Sequence, residues 1–195
     1  MKGSKQQLQK IEAFARRVYK KNNNPYHDLD HALSVSKTAV YIAKQEKADV
    51  EVCRIAALLH DIAPKTRGKT HSQQSGKMAK RFLAKIGLDK EFINAVQLAI
   101  MYHDTARFHL VKTKEGIIVF EADKLEGAGP IGLLREYGDR ILLHHHNPKL
   151  VLKELPVYLR HYNPPVRTRT AKRLKKEIQQ FNKEFIRLLT KYRTS

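Results

Sequence analysis

Cysteine is nearly absent: Cys53 is the only one in 195 residues. A disulfide within the chain is thereby excluded, and so is a zinc site built on thiolates. Any metal site here must draw on histidine and carboxylate. Tryptophan is missing, while glycine (9) and proline (7) are sparse, so few breaks punctuate the chain. No apolar run is long enough to span a bilayer. The opening residues MKGSKQQLQKIEAFARRVYK lack the apolar middle and small-residue cleavage site of a secretory leader. These absences predict a cytoplasmic protein with no membrane partner.

Acidic residues are scarce as well. Thirty-eight Lys and Arg stand against 19 Asp and Glu, a formal net charge of +19. Between Lys149 and Ser195, thirteen Lys and Arg oppose three Glu, so ten of the nineteen net charges fall in the last quarter. That excess is either a solvated helix face or a field that attracts an anion. A hydrophobic content of 42% supports a packed core, and the length fits one domain.

Apolar spacing predicts an all-α fold. In residues 5–20, Leu8, Ile11, Phe14, Ala15 and Val18 recur at three and four, the pattern of an amphipathic helix. Asn22 to Pro25 break it. A second helix is expected over 29–45. A third, over 50–62, is apolar almost throughout and should form the buried centre, with Cys53 as a small apolar residue within it. Helices over 71–86 and 90–102 follow, parted by Gly87. In FHLVKTKEGIIVF the β-branched residues flanking Lys114-Glu115-Gly116 predict a small hairpin near 109–120. A helix carrying EADKLEGAG continues into IGLLREYG with an interruption near Pro130. Two more are expected over 148–159 and 170–192, the latter with a stripe of Leu174, Ile178, Phe181, Phe185, Leu188 and Tyr192. This divides the chain into an N-terminal helix (1–24), a core (25–142) and a basic helical extension of the same domain (143–195).

The placement of His and Asp carries the chemistry. His60 and Asp61 close the most apolar helix, where a charge and an imidazole cost free energy unless something pairs with them. Adjacent helical side chains point about 100° apart, so the two converge on one ion only at a helix end; the Pro64/Gly68 loop supplies that end. His31 and Asp123 are each read near a helix start beside apolar neighbours. Two imidazoles and two carboxylates suit divalent manganese, iron, cobalt, zinc or magnesium. Singly, His31 or Asp123 reads equally as a cap or surface group. His144-His145-His146 reads as a surface cluster, and Gly127 and Gly129 as close-packing glycines rather than a phosphate loop.

The ordered set His31, His60-Asp61 and Asp123, with YHDLDHALSV around the first and CRIAALLHDIA around the pair, resembles the HD-superfamily phosphohydrolases over residues 26–137. The resemblance implies a helical bundle in which these four residues bind one metal. It also implies hydrolysis of phosphate esters or anhydrides by metal-activated water. HSQQSGKMAKRFL, from His71, resembles a helix start of two-metal HD enzymes, and AIMYHD at His103 resembles their I-x-x-H-H with Asp104 replacing the second His. Carried over, Asp61 bridges two ions and His71 and His103 hold the second. Asp104 then ligates or orients water, which makes Asp61, Lys65 and Asp104 the catalytic set. HD relatives often carry Lys three residues after the Asp. Pro64 stands there in this chain, with Lys65 one further on. Lys65 and Lys124 are the candidate phosphate contacts, whereas Arg67 and Lys69 read as solvated loop charge.

EADKLEGAGPIGLLREYG is similar to a segment of bacterial HD hydrolases that include nucleotide pyrophosphohydrolases, although Pro130 replaces a small residue. TRTAKRLKKEIQQFNKEFIRLL resembles their closing helix. The expected function is hydrolysis of a nucleotide or small phosphorylated metabolite. Two other readings stay open: a phosphodiesterase on RNA or DNA, and a non-catalytic nucleic-acid-binding module with a structural metal, each using the basic C-terminal helix.

Overall fold

The computed structural model describes residues 3–22, 24, 27–64 and 71–192. Among them stand nine α-helices and no strand. They are α1 (Lys5–Asn22), α2 (Leu29–Glu46), α3 (Val50–Leu59), α4 (His71–Lys85), α5 (Lys90–Met101), α6 (Lys114–Ala128), α7 (Pro130–Gly138), α8 (Pro148–His161) and α9 (Arg169–Tyr192). The chain divides into two compact units, Met1–Asp123 and Lys124–Ser195, with the division inside α6. No helix among the described residues is long and apolar enough to cross a membrane.

In the first unit, aspartates start three helices. Asp28 accepts the His31 N–H at 2.8 Å, Asp49 accepts those of Glu51 and Val52, and Asp89 those of Glu91 and Phe92. Each satisfies N–H groups that a helix start leaves orphaned. The apolar residues of α3 from Val52 to Leu59 are buried, Cys53 included. Its C-terminal end is held by side chains of α1. Tyr19 donates to the Leu58 carbonyl at 3.2 Å and Asn22 to that of Ile62 at 3.0 Å. The Ser75 hydroxyl takes the Ala63 N–H at 3.0 Å. These bonds let α3 stop at Leu59 and splay His60 and Asp61 apart without leaving buried carbonyls unpaired.

The expected hairpin near 109–120 is absent. A 3-10 turn covers Thr105–Leu110, and α6 begins at Lys114, where the Thr113 hydroxyl caps the Gly116 N–H at 3.2 Å. Lys114-Glu115-Gly116 therefore open a helix instead of forming a turn. Ile118, Val119, Phe120, Glu121 and Ala122 are all fully buried, and Phe120 stacks on Phe108 at 3.8 Å. A helix buried on every side shows no amphipathic period, so its β-branched residues imitate a strand.

In the second unit, Pro130 occupies the first turn of α7, the interruption expected there. Leu133, Leu155 and Leu159 pack with Tyr158, Phe185, Ile186 and Leu189. The α9 stripe is corrected: Phe181, Leu188 and Tyr192 are exposed, whereas Ala171 and Asn182 are buried. Asn182 donates to the Ala128 carbonyl at 3.2 Å, so a polar residue that a hydrophobic count passes over joins Phe185, Ile186 and Leu189 in packing α9. Gly127 does sit at a close approach, but its partner is Gly132; Gly129 makes only ordinary contacts. His144 to His146 are exposed, as expected of a surface cluster.

Candidate metal centre

Seven of the expected site residues converge in the first unit. His31 projects from the first turn of α2, with Nε2 3.4 Å from Asp123 Oδ1. His60 Nε2 lies 3.5 Å from Asp61 Oδ2 and 3.7 Å from Asp123 Oδ1. On the other side of Asp61, Oδ1 lies 3.1 Å from His71 Nε2 and 3.2 Å from His103 Nε2. His71 and His103 face each other through Nε2 at 3.1 Å, and Asp104 Oδ1 is 3.6 Å from His71. Asp123 reaches the cluster from the interior of α6, not from a helix start.

Two of the imidazoles are set by their own helices. At the C-terminal ends of α3 and α5, His60 Nδ1 donates to the Ala57 carbonyl at 2.6 Å and His103 Nδ1 to that of Ile100 at 2.7 Å. Each bond fixes the neutral tautomer and aims the Nε2 lone pair at the cluster. Burial pushes the His60 imidazole down to about 4, so it is uncharged at neutral pH. Burial also pushes the Asp61 carboxyl up. The neighbouring imidazoles, His60 first and then His103, His27 and His71, outweigh that and hold it well below the usual carboxylate range.

The arrangement fits a cation. His60 Nε2 and Asp61 Oδ1 are buried and make no regular hydrogen bond among the described residues, which is costly unless something else engages them. The groups His31–His60–Asp123, His60–Asp61–His103 and His71–His103–Asp104 each bring three donor atoms within 4.8 Å of one another, close enough to hold a metal ion. Nitrogen and oxygen donors without sulfur match the borderline and hard divalent ions expected. A cavity of about 210 Å³, lined in part by Asn24, His27, Asp61 and His71, opens onto the cluster.

Two residues were not expected. His27 Nδ1 lies 2.6 Å from Asp61 Oδ2; its signal was the spacing of four to His31. Ser72 donates its hydroxyl to Asp104 Oδ2, for which the sequence holds no signal. Of the expected phosphate contacts, Lys65 lies outside the described residues, as do Arg67 and Lys69. Lys124 follows Asp123 on α6 and belongs to the second unit.

Residues 28–128, more than half of the chain, match the HD domain family, and the chain belongs to it. Uncharacterized protein YpgQ of Bacillus subtilis is 28% identical over 182 residues, covering 85% of this chain and 83% of YpgQ. Ribonuclease Y of Cutibacterium acnes is 32% identical over 112 residues, 55% of this chain; that match spans only 19% of the ribonuclease. Among solved structures, that of a predicted HD superfamily hydrolase from an uncultured Thermotogales bacterium superposes with a TM-score of 0.72 at 26% identity, covering 95% of this chain and 93% of that one. The structure of B. subtilis YpgQ in complex with ADP gives 0.69 at 25% identity, covering 95% and 94%.

Proposed function

We propose that this chain is a metal-dependent phosphohydrolase acting on nucleotides through a two-ion centre bridged by Asp61. The observation that carries this reading is the division of the Asp61 carboxylate, whose Oδ2 turns to His60 and whose Oδ1 turns to His71 and His103. His31, His60, Asp61 and Asp123 would hold one ion, and Asp61, His71, His103 and Asp104 the other. Such ions supply Lewis acidity toward a phosphoryl group and make water a nucleophile at neutral pH. The chain's own part is to preorganise the donors. Ser72 fixes the Asp104 carboxylate, and the α3 and α5 carbonyls fix His60 and His103. The nucleotide assignment draws on the ADP bound by YpgQ and on the charge of +19, which favours an anionic substrate. A second reading, an RNA or DNA phosphodiesterase, is favoured by the basic α9 and the likeness to Ribonuclease Y.

Metal-free protein reconstituted with manganese, iron, cobalt, zinc or magnesium and given nucleotides, phosphomonoesters and oligonucleotides separates them. Nucleotide turnover is expected. Preferred cleavage of oligonucleotides would favour the second reading. No turnover with any metal, together with tight and salt-sensitive oligonucleotide binding, would sink both hydrolase readings. Metal counting tests the second ion: His103→Ala is expected to lower the content from about two ions to about one. An unchanged count near one in both proteins means the bridge was never formed.

A further inference from the structure

We propose that the groove between α1 and the C-terminal end of α4 is a docking site for an acidic, amphipathic helix of a protein partner. It lies in the first unit but away from the metal centre. His71 opens α4, whereas Phe82 and Lys85 lie about 16–21 Å further along its axis.

Spacing builds the groove. Lys10, Ala13, Phe14 and Arg17 recur at three and four, so they share one face of α1. Phe82, Lys85 and Ile86 repeat the pattern where α4 ends. Between them is a cavity of about 860 Å³, within the size range of binding clefts. Its floor is apolar: Phe14 and Phe82 stack at 3.9 Å with their planes 6° apart, and both are half-buried. Gln7 Nε2 donates to the Ile86 and Gly87 carbonyls at 3.1 and 3.2 Å, which ties the start of α1 to the end of α4. The two walls are thus fixed before anything binds, so little ordering cost remains.

Charge selects the occupant. Lys10, Arg17 and Lys85 are exposed around the floor, and among the described residues that line it there is no carboxylate. A second copy of a chain carrying +19 would bring like charge to that rim. A single strand of nucleic acid needs free ring faces on which its bases stack. Here each ring gives one face to the other, and the Arg17 guanidinium lies over Phe14 at 5.7 Å. An apolar floor bounded by cations suits apolar side chains at helical spacing flanked by carboxylates.

The probe is a synthetic helical peptide with leucines at i, i+3, i+4 and i+7 and glutamates on either side, titrated into the full chain at about 0.15 M salt. Binding with a micromolar Kd is expected, with amide NMR shifts at Ala13, Phe14, Phe82 and Gly87 and none along α9. Lys10→Glu combined with Lys85→Glu is expected to weaken binding about tenfold or more. The same charge change on α9, Lys176→Glu with Lys183→Glu, should weaken it less than about twofold. All four lysines are exposed, so the fold should persist in both variants. Replacing the peptide's leucines by serine should abolish binding. Equal loss from the two lysine pairs, or binding that survives the leucine exchange, would reveal a general charge field and overturn the inference. So would a failure of the wild type to bind the peptide. An oligothymidylate that shifts the groove amides in the peptide's place would overturn it as well, by marking a nucleic-acid site.

Discussion

Asp61→Ala is expected to abolish both metal uptake and turnover, with a loss of activity on the order of 10³-fold or more. Among the described residues, Asp61 is the one with an oxygen toward each of the two donor groups. The fold should survive. The metal-free protein already bears the cost of burying this carboxylate, and its removal relieves that cost while giving up the imidazole contacts. A thermal scan separates the two effects. An ion at one hundred times its Kd stabilises a folded protein by about 2.7 kcal/mol. For a chain of this size that is roughly 5–10 °C. Added Mn²⁺ should raise the melting temperature of the wild type and leave Asp61→Ala where it was. Full activity in the variant would mean that the histidine–aspartate order is accidental.

Gly132→Ala is expected to be the most destabilising single-methyl change in the second unit. A Cβ at Gly132 would overlap the Gly127 carbonyl oxygen, the Gly127 Cα and the Glu126 carbonyl oxygen. All three atoms are backbone and cannot swing aside. The cost should be about 3 kcal/mol, a fall in melting temperature of roughly 6–12 °C. Gly76 makes the useful contrast, because its added Cβ would meet a side-chain atom, Met101 Cγ, first, at 2.6 Å, and backbone only at 3.3 Å. Gly76→Ala should cost less, since that side chain can move. Metal uptake by Gly132→Ala is expected to persist below its melting transition, because the donor groups lie in the first unit. An unchanged melting temperature would show that α6 and α7 can part without penalty.

Most helices were legible from the spacing of their apolar residues, and the expected starts at 50 and 90 match those of α3 and α5. The segment read as a hairpin was not legible, because α6 is buried all round and leaves no period to detect. In α9 the period was present but its centre was misplaced. Asn182 is buried through a bond to Ala128, a partner more than fifty residues away, and no local pattern encodes such a pair. Among site residues the ordered histidines and aspartates stood out because polar groups beside an apolar run need a reason. His27 and Ser72 did not, since each meets a carboxylate brought to it by another helix.

By itself, then, the sequence determined the donor chemistry and the helical class. One cysteine rules out thiolate sites, and His60-Asp61 at the end of a buried helix requires compensation in any compact fold. Tertiary structure alone decided which oxygen of Asp61 faces which histidines, and that His27 touches the carboxylate while His144 to His146 remain in solvent. The physical reason is range. Composition and periodicity act within a few turns of chain, whereas the centre is assembled from α2, α4 and α6 and the ends of α3 and α5, and the separation of its donor atoms is set by how those helices pack.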